Sequence, residues 1–105
     1  MTKLVTEIVL NIAENNNFLT GELTRQTVMQ ISKKQIKQLI SQPFLIVDLN
    51  QVTRIDTAGL AWLFFLIEQA NNANCQLSFS NVPTKLYKLI GLSGVDGFLP
   101  VTHKS

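Results

Sequence analysis

Ten consecutive residues, 58–67 in the stretch RIDTAGLAWLFFLIEQANN, carry no polar side chain. A helix on the surface of a small domain normally keeps one polar face. Ten residues fall well short of the ~20 that span a bilayer as a helix. The run must therefore be covered by protein on nearly every side, by the chain's own core, by a partner, or by both. At about 100° per residue, Leu60, Leu63, Leu66, Ile67 and Ala70 share one broad face, the expected core side. Glu68, Gln69 and Asn72 define the opposite face. Thr57, Ala61 and Phe65 fall on that polar side, one turn after another, with Trp62 at its edge. An aromatic beside small residues at a helix start suits a protein interface, although single exposed apolar residues are ordinary.

The flanking segments set the fold class. Residues 3–12 alternate as a strand does, and FLTGEL (18–23) reads as its hairpin partner across an Asn-rich turn. With Thr24 as a plausible N-cap, residues 25–41 space Val28, Ile36, Leu39 and Ile40 for a helix, which Pro43 stops. FLIVDL (44–49), with five apolar residues in six, reads as a central strand covered on both faces. The greasy helix at about 58–72 follows, then a turn at NANC, a strand QLSFSN and a third helix opened by Pro83 and Thr84 and closed by Gly91. Val95, Phe98 and Leu99 are expected to pack behind it. Strands alternating with helices imply parallel crossovers, and thus an α/β sandwich: a mixed sheet with helices packed on it. At 105 residues, one domain is expected.

Composition narrows the function classes. Charged residues are only 15% of a chain that is 46% hydrophobic. Either a partner covers part of the surface, or Asn and Gln supply the polarity. The net charge is +2, and the basic residues are scattered except for Lys33-Lys34 and Lys37. That is no nucleic-acid footprint; it reads as a solvated helix face. The single cysteine, Cys75, allows no internal disulfide and no cysteine-based metal site. The N-terminal stretch lacks the unbroken apolar region of a signal peptide. A cytoplasmic protein is expected, with any membrane link made through a partner.

Catalytic chemistry has little to work with. Neither G-x-x-x-x-G-K-[ST] nor G-x-G-x-x-G occurs, so no nucleotide cofactor is expected. The single histidine, His103, lies near a chain end and reads as a solvated tail residue. Asp48 and Asp56, at the expected end of the central strand and the loop after it, could pair as acid and base; caps of loops and helices are the plainer reading. Cys75 reads as a small, partly buried hydrophobe. What remains is the helix start. Asp56 or Thr57 can cap it, the partial positive charge there favours a carboxylate or a phosphate on Thr57, and Gly59 lets another backbone come close.

These residues carry a resemblance. From LIVDLNQVTRIDTAGLAWLFF onward, and over about residues 4–100, the chain resembles the STAS domains of anti-sigma-factor antagonists and their relatives. In that family a strand ending in D-L leads through a loop to D-[ST]-x-G-L, here Asp56, Thr57, Ala58, Gly59 and Leu60. The resemblance implies the sheet-and-helix sandwich, no catalysis, no cofactor and no metal. It marks Thr57 as the position phosphorylated in antagonists. Threonine at 57 with Trp62 and Phe65 behind it is similar to the branch that serves inner-membrane phospholipid ABC transporters; Ala58 departs from the glycine expected there. That branch implies a cytoplasmic accessory subunit bound to the transporter ATPase and, through it, to the permease and lipid-binding subunits. Asp56, Thr57, Ala58, Gly59, Ala61, Trp62 and Phe65 are then the expected partner-facing residues. The other branch implies a partner-switching antagonist regulated at Thr57.

Overall fold

A computed structural model describes residues 6–13, 16–86 and 88. Its elements are β1 (Ile8–Asn11), β2 (Asn17–Leu23), a 3-10 turn (Val28–Gln30), α1 (Lys33–Leu39), β3 (Phe44–Ile55), α2 (Thr57–Asn72) and β4 (Gln76–Ser80). Helical backbone resumes at Thr84 behind Pro83, as expected. The remainder of that helix, Gly91, the packing of Val95, Phe98 and Leu99, and His103 lie outside the described residues.

The four strands form one mixed sheet in the order β1-β2-β3-β4. β1 and β2 are the expected antiparallel hairpin, and β3 pairs parallel with both β2 and β4. Gly21 sits at a register shift in β2 with φ +112°, where a side chain would meet the Glu7 carbonyl. The free edge of β1 is partly closed by Gln30. Its Oε1 accepts from Ile8 N (3.1 Å) and its Nε2 donates to the Thr6 carbonyl (3.1 Å), as a neighbouring strand would.

Expectations about two of these elements, α1 and β3, need correction. The helix expected over 25–41 begins at Lys33. Thr27 Oγ1 accepts from Thr24 N (2.9 Å) and donates to the Glu22 carbonyl (2.7 Å), which folds residues 24–27 into a turn instead. Ser32 then starts α1 with a capping box: its side chain accepts from Gln35 N, and Gln35 Oε1 accepts from Ser32 N. Ser32, rather than Thr24, is the cap.

The central strand runs on to Ile55, and it is not covered on both faces. Leu45, Val47 and Leu49 are buried, while Phe44 is 74% and Ile46 45% exposed. The topology supplies the reason. The β2-α1-β3 and β3-α2-β4 crossovers step the same way along the sheet, and right-handed crossovers of that kind put both helices on one face. The core lies between that face and the helices. It is built from Leu19, Leu23, Leu45, Val47, Leu49, Phe79, Ile36, Leu39, Leu63 and Leu66, among others.

The start of the second helix

The candidate functional site is the junction of β3 and α2, built on the cap Asp56. Its backbone is extended (φ −126°, ψ −175°), the geometry of an N-cap, and Thr57 is the first helical residue. Asp56 Oδ1 accepts from Gly59 N (2.9 Å), satisfying an orphan donor of the first helical turn. Oδ2 accepts from Arg25 N (3.1 Å), and Asp56 N donates to the Leu23 carbonyl (3.4 Å). One carboxylate thus ties the helix start to the end of β2. Burial pushes its pKa up, but backbone bonds from Gly59, Arg25 and Ala58 and the charge of Arg54 outweigh this and hold it below the ordinary value.

Gly59 provides the second constraint. A Cβ there would collide with the backbone carbonyl of Leu23 and press on Ile55. The close approach expected of this glycine is therefore to the chain's own β2, and Gly59 is buried. No side chain but hydrogen allows α2 to seat at this depth.

With the helix start fixed, its faces are fixed too. Leu60, Leu63, Leu66 and Ala70 are buried as expected, and Ile67 is partly so. Trp62, expected at the edge of an exposed patch, is 8% exposed and belongs to the core. At 100° per residue Trp62 stands beside Leu66 and the broad apolar stripe, and its large side chain fills space there. Ala58 is half-buried. Thr57, Ala61 and Phe65, spaced one turn apart, are exposed, Phe65 by 43%. Thr57 Oγ1 makes no hydrogen bond within the described residues, so its hydroxyl is open to a partner or a modifying enzyme.

The same face continues into a groove of about 750 Å³ between α1 and α2, lined among others by Ile36, Ile40, Phe65, Gln69, Lys33 and Lys37. Lys33 and Lys37 are exposed, as the solvated-face reading expects, and they also border this groove. Their spacing at i and i+4 beside Ile36 and Ile40 was the available signal, but only packing shows that Phe65 stands across from them. Asp48 and Asp56 are not brought together. Asp48 lies in the middle of β3, paired in register with Ser80, and the intervening strand sets it roughly 25 Å from Asp56. Asp48 instead accepts from Asn50 N (2.7 Å) and Asn81 Nδ2 (3.2 Å). Cys75 is buried, and burial pushes its thiol pKa up, away from reactive thiolate. No group of three or more His, Cys, Asp or Glu among the described residues could hold a metal ion, and no described helix is long and apolar enough to cross a membrane.

Comparison with known proteins fits this geometry. The family model described as "Mlab, STAS domain" matches residues 18–101. The chain is 30% identical over 74 residues to the intermembrane phospholipid transport system binding protein MlaB of Escherichia coli (strain K12), a match covering 70% of this chain and 74% of that protein. The MlaB of Shigella flexneri matches to the same extent. Among solved structures, the anti-sigma factor antagonist SpoIIAA in its unphosphorylated form superposes with a TM-score of 0.65 at 15% identity, over 92% of this chain and 89% of that one. At that identity the likeness concerns the fold.

Proposed function

This chain belongs to the STAS domain family, and on that footing we propose that it is a non-catalytic, cytoplasmic accessory subunit of an inner-membrane phospholipid ABC transporter, binding and supporting the ATPase subunit. The likeness to MlaB proteins supports the transport setting. The observation that carries the docking mode is the exposed ladder of Thr57, Ala61 and Phe65 on a helix otherwise committed to the core. Asp56 and Gly59 hold that ladder rigid by bonding and packing the helix start onto β2. A surface fixed before binding loses little conformational entropy on association. Phe65 is the anchor, Ala61 leaves room for a facing side chain, and Thr57 sits at the rim. Through the ATPase the subunit reaches the permease and the lipid-binding subunits, and it does not insert into the membrane.

Thr57→Glu and Phe65→Asp should each abolish co-purification with the ATPase while far-ultraviolet circular dichroism stays that of wild type. Recovery of either folded variant with the ATPase at wild-type yield sinks the proposal. The open hydroxyl of Thr57 at a helix N-terminus supports a second reading, a partner-switching antagonist of an anti-sigma factor regulated by phosphorylation. Incubation with a cognate anti-sigma kinase and ATP separates the two. A one-phosphate mass increase that disappears in Thr57→Val favours the antagonist, and an unchanged mass favours the transporter subunit.

A further inference from the structure

The groove between α1 and α2 has a chemistry of its own. Its floor is apolar, from Ile36, Ile40 and Phe65, and Gln69 and Asn72 add neutral amides on the α2 side. Lys33 and Lys37 stand on the α1 side, one helical turn apart and both exposed. No carboxylate lines the groove, and among the described residues neither lysine is in an ion pair. An apolar trough with cations along one bank is complementary to an amphipathic segment with carboxylates along one flank.

We propose that this groove takes an acidic amphipathic helix of the chain's protein partner, with apolar side chains against Phe65, Ile36 and Ile40 and two carboxylates one turn apart facing Lys33 and Lys37. A helix is required because the groove is walled by helices and offers no strand edge. An extended segment would lay unpaired backbone N–H and C=O groups on the apolar floor, whereas a helix bonds its own. The lysine spacing matches a helix lying alongside α1, since residues three or four apart on it also stand one turn apart. The proposal deepens the docking reading, because Phe65 belongs to both surfaces.

The test uses the full chain and a fluorescently labelled, helix-stapled peptide with leucines on one face and glutamates on the adjoining flank. The same peptide with lysine for every glutamate is the control. Fluorescence anisotropy should show saturable binding of the acidic peptide, weakening as salt rises, and about tenfold weaker binding of the basic one. The double variant Lys33→Glu/Lys37→Glu, whose substitutions are exposed, should reverse that preference, and Phe65→Ala should weaken both. Equal binding of the two peptides, binding of neither, or a preference unchanged in the double variant overturns the proposal. So does lysine-dependent binding to phosphatidylglycerol vesicles with no peptide binding, which makes the bank a lipid contact. Ala61→Glu, on the ladder but outside the groove, keeps the two ideas apart. If it abolishes ATPase co-purification while the acidic peptide binds no wild-type protein, the groove proposal fails and the docking reading stands.

Discussion

Replacing Asp56 by alanine removes two backbone bonds at once, Gly59 N to Oδ1 (2.9 Å) and Arg25 N to Oδ2 (3.1 Å). Loss of an N-cap costs about 1 kcal/mol. A hydrogen bond to a charged group contributes about 1.5–3 kcal/mol, but the Arg25 bond is open to solvent, which reduces it to about 0.5–1 kcal/mol. Together these predict a loss of about 1.5–2 kcal/mol at pH 7, or roughly 10 °C in Tm for a domain of this size. Asparagine caps well but offers one acceptor oxygen in place of two, so Asp56→Asn should lose only about 0.5–1 kcal/mol. The pH dependence separates charge from shape. The folded pKa of Asp56 lies below its unfolded value. Its contribution is therefore complete above the unfolded pKa of about 3.9 and fades as pH falls through the folded one. Urea denaturation followed by circular dichroism at pH 7 and at pH 3 should show the gap between wild type and Asp56→Ala narrowing at the lower pH. Asp56→Asn should lack that component of the acid sensitivity. A gap below about 0.5 kcal/mol at pH 7, or one that does not narrow in acid, refutes the assignment of this carboxylate as a charged clamp between α2 and β2.

Two substitutions test the packing beneath the clamp. Gly59→Ala should destabilise by about 1–3 kcal/mol, since the added methyl meets the immobile Leu23 carbonyl; a stabilisation of about 1 kcal/mol, the usual gain of alanine in a helix, would show that α2 does not seat this closely. Trp62→Ala should cost about 3–5 kcal/mol in urea denaturation, because the indole is buried; a loss below about 1 kcal/mol together with lost partner binding would return Trp62 to the surface.

Much of this fold is legible in the chain. Alternation announces β1, Pro43 stops α1, and the D-T start followed by ten apolar residues announces α2 and its cap. The start of α1 is not where the sequence reading puts it, behind Thr24. The fold of residues 24–27 decides the start through Thr27, whose hydroxyl bonds to Glu22 and Thr24, and leaves the cap to Ser32 and its capping box with Gln35. The one-sided cover of β3 could not be read from FLIVDL, since five apolar residues in six suit a strand buried on either one face or two. It follows from which neighbours β3 takes in the sheet.

The sequence by itself determined that a capped, almost wholly apolar helix follows a central strand, and that Thr57, Ala61 and Phe65 share one of its faces, because a 3.6-residue period is a local property. Tertiary structure alone decided the rest. Trp62 is core because the stripe α2 turns toward the sheet is wide enough to take an indole. Gly59 is a contact with Leu23, and Lys33 and Lys37 face Phe65 across a groove, because residues distant in the chain meet there. Periodicity assigns a side chain to a face, but only packing says what that face meets.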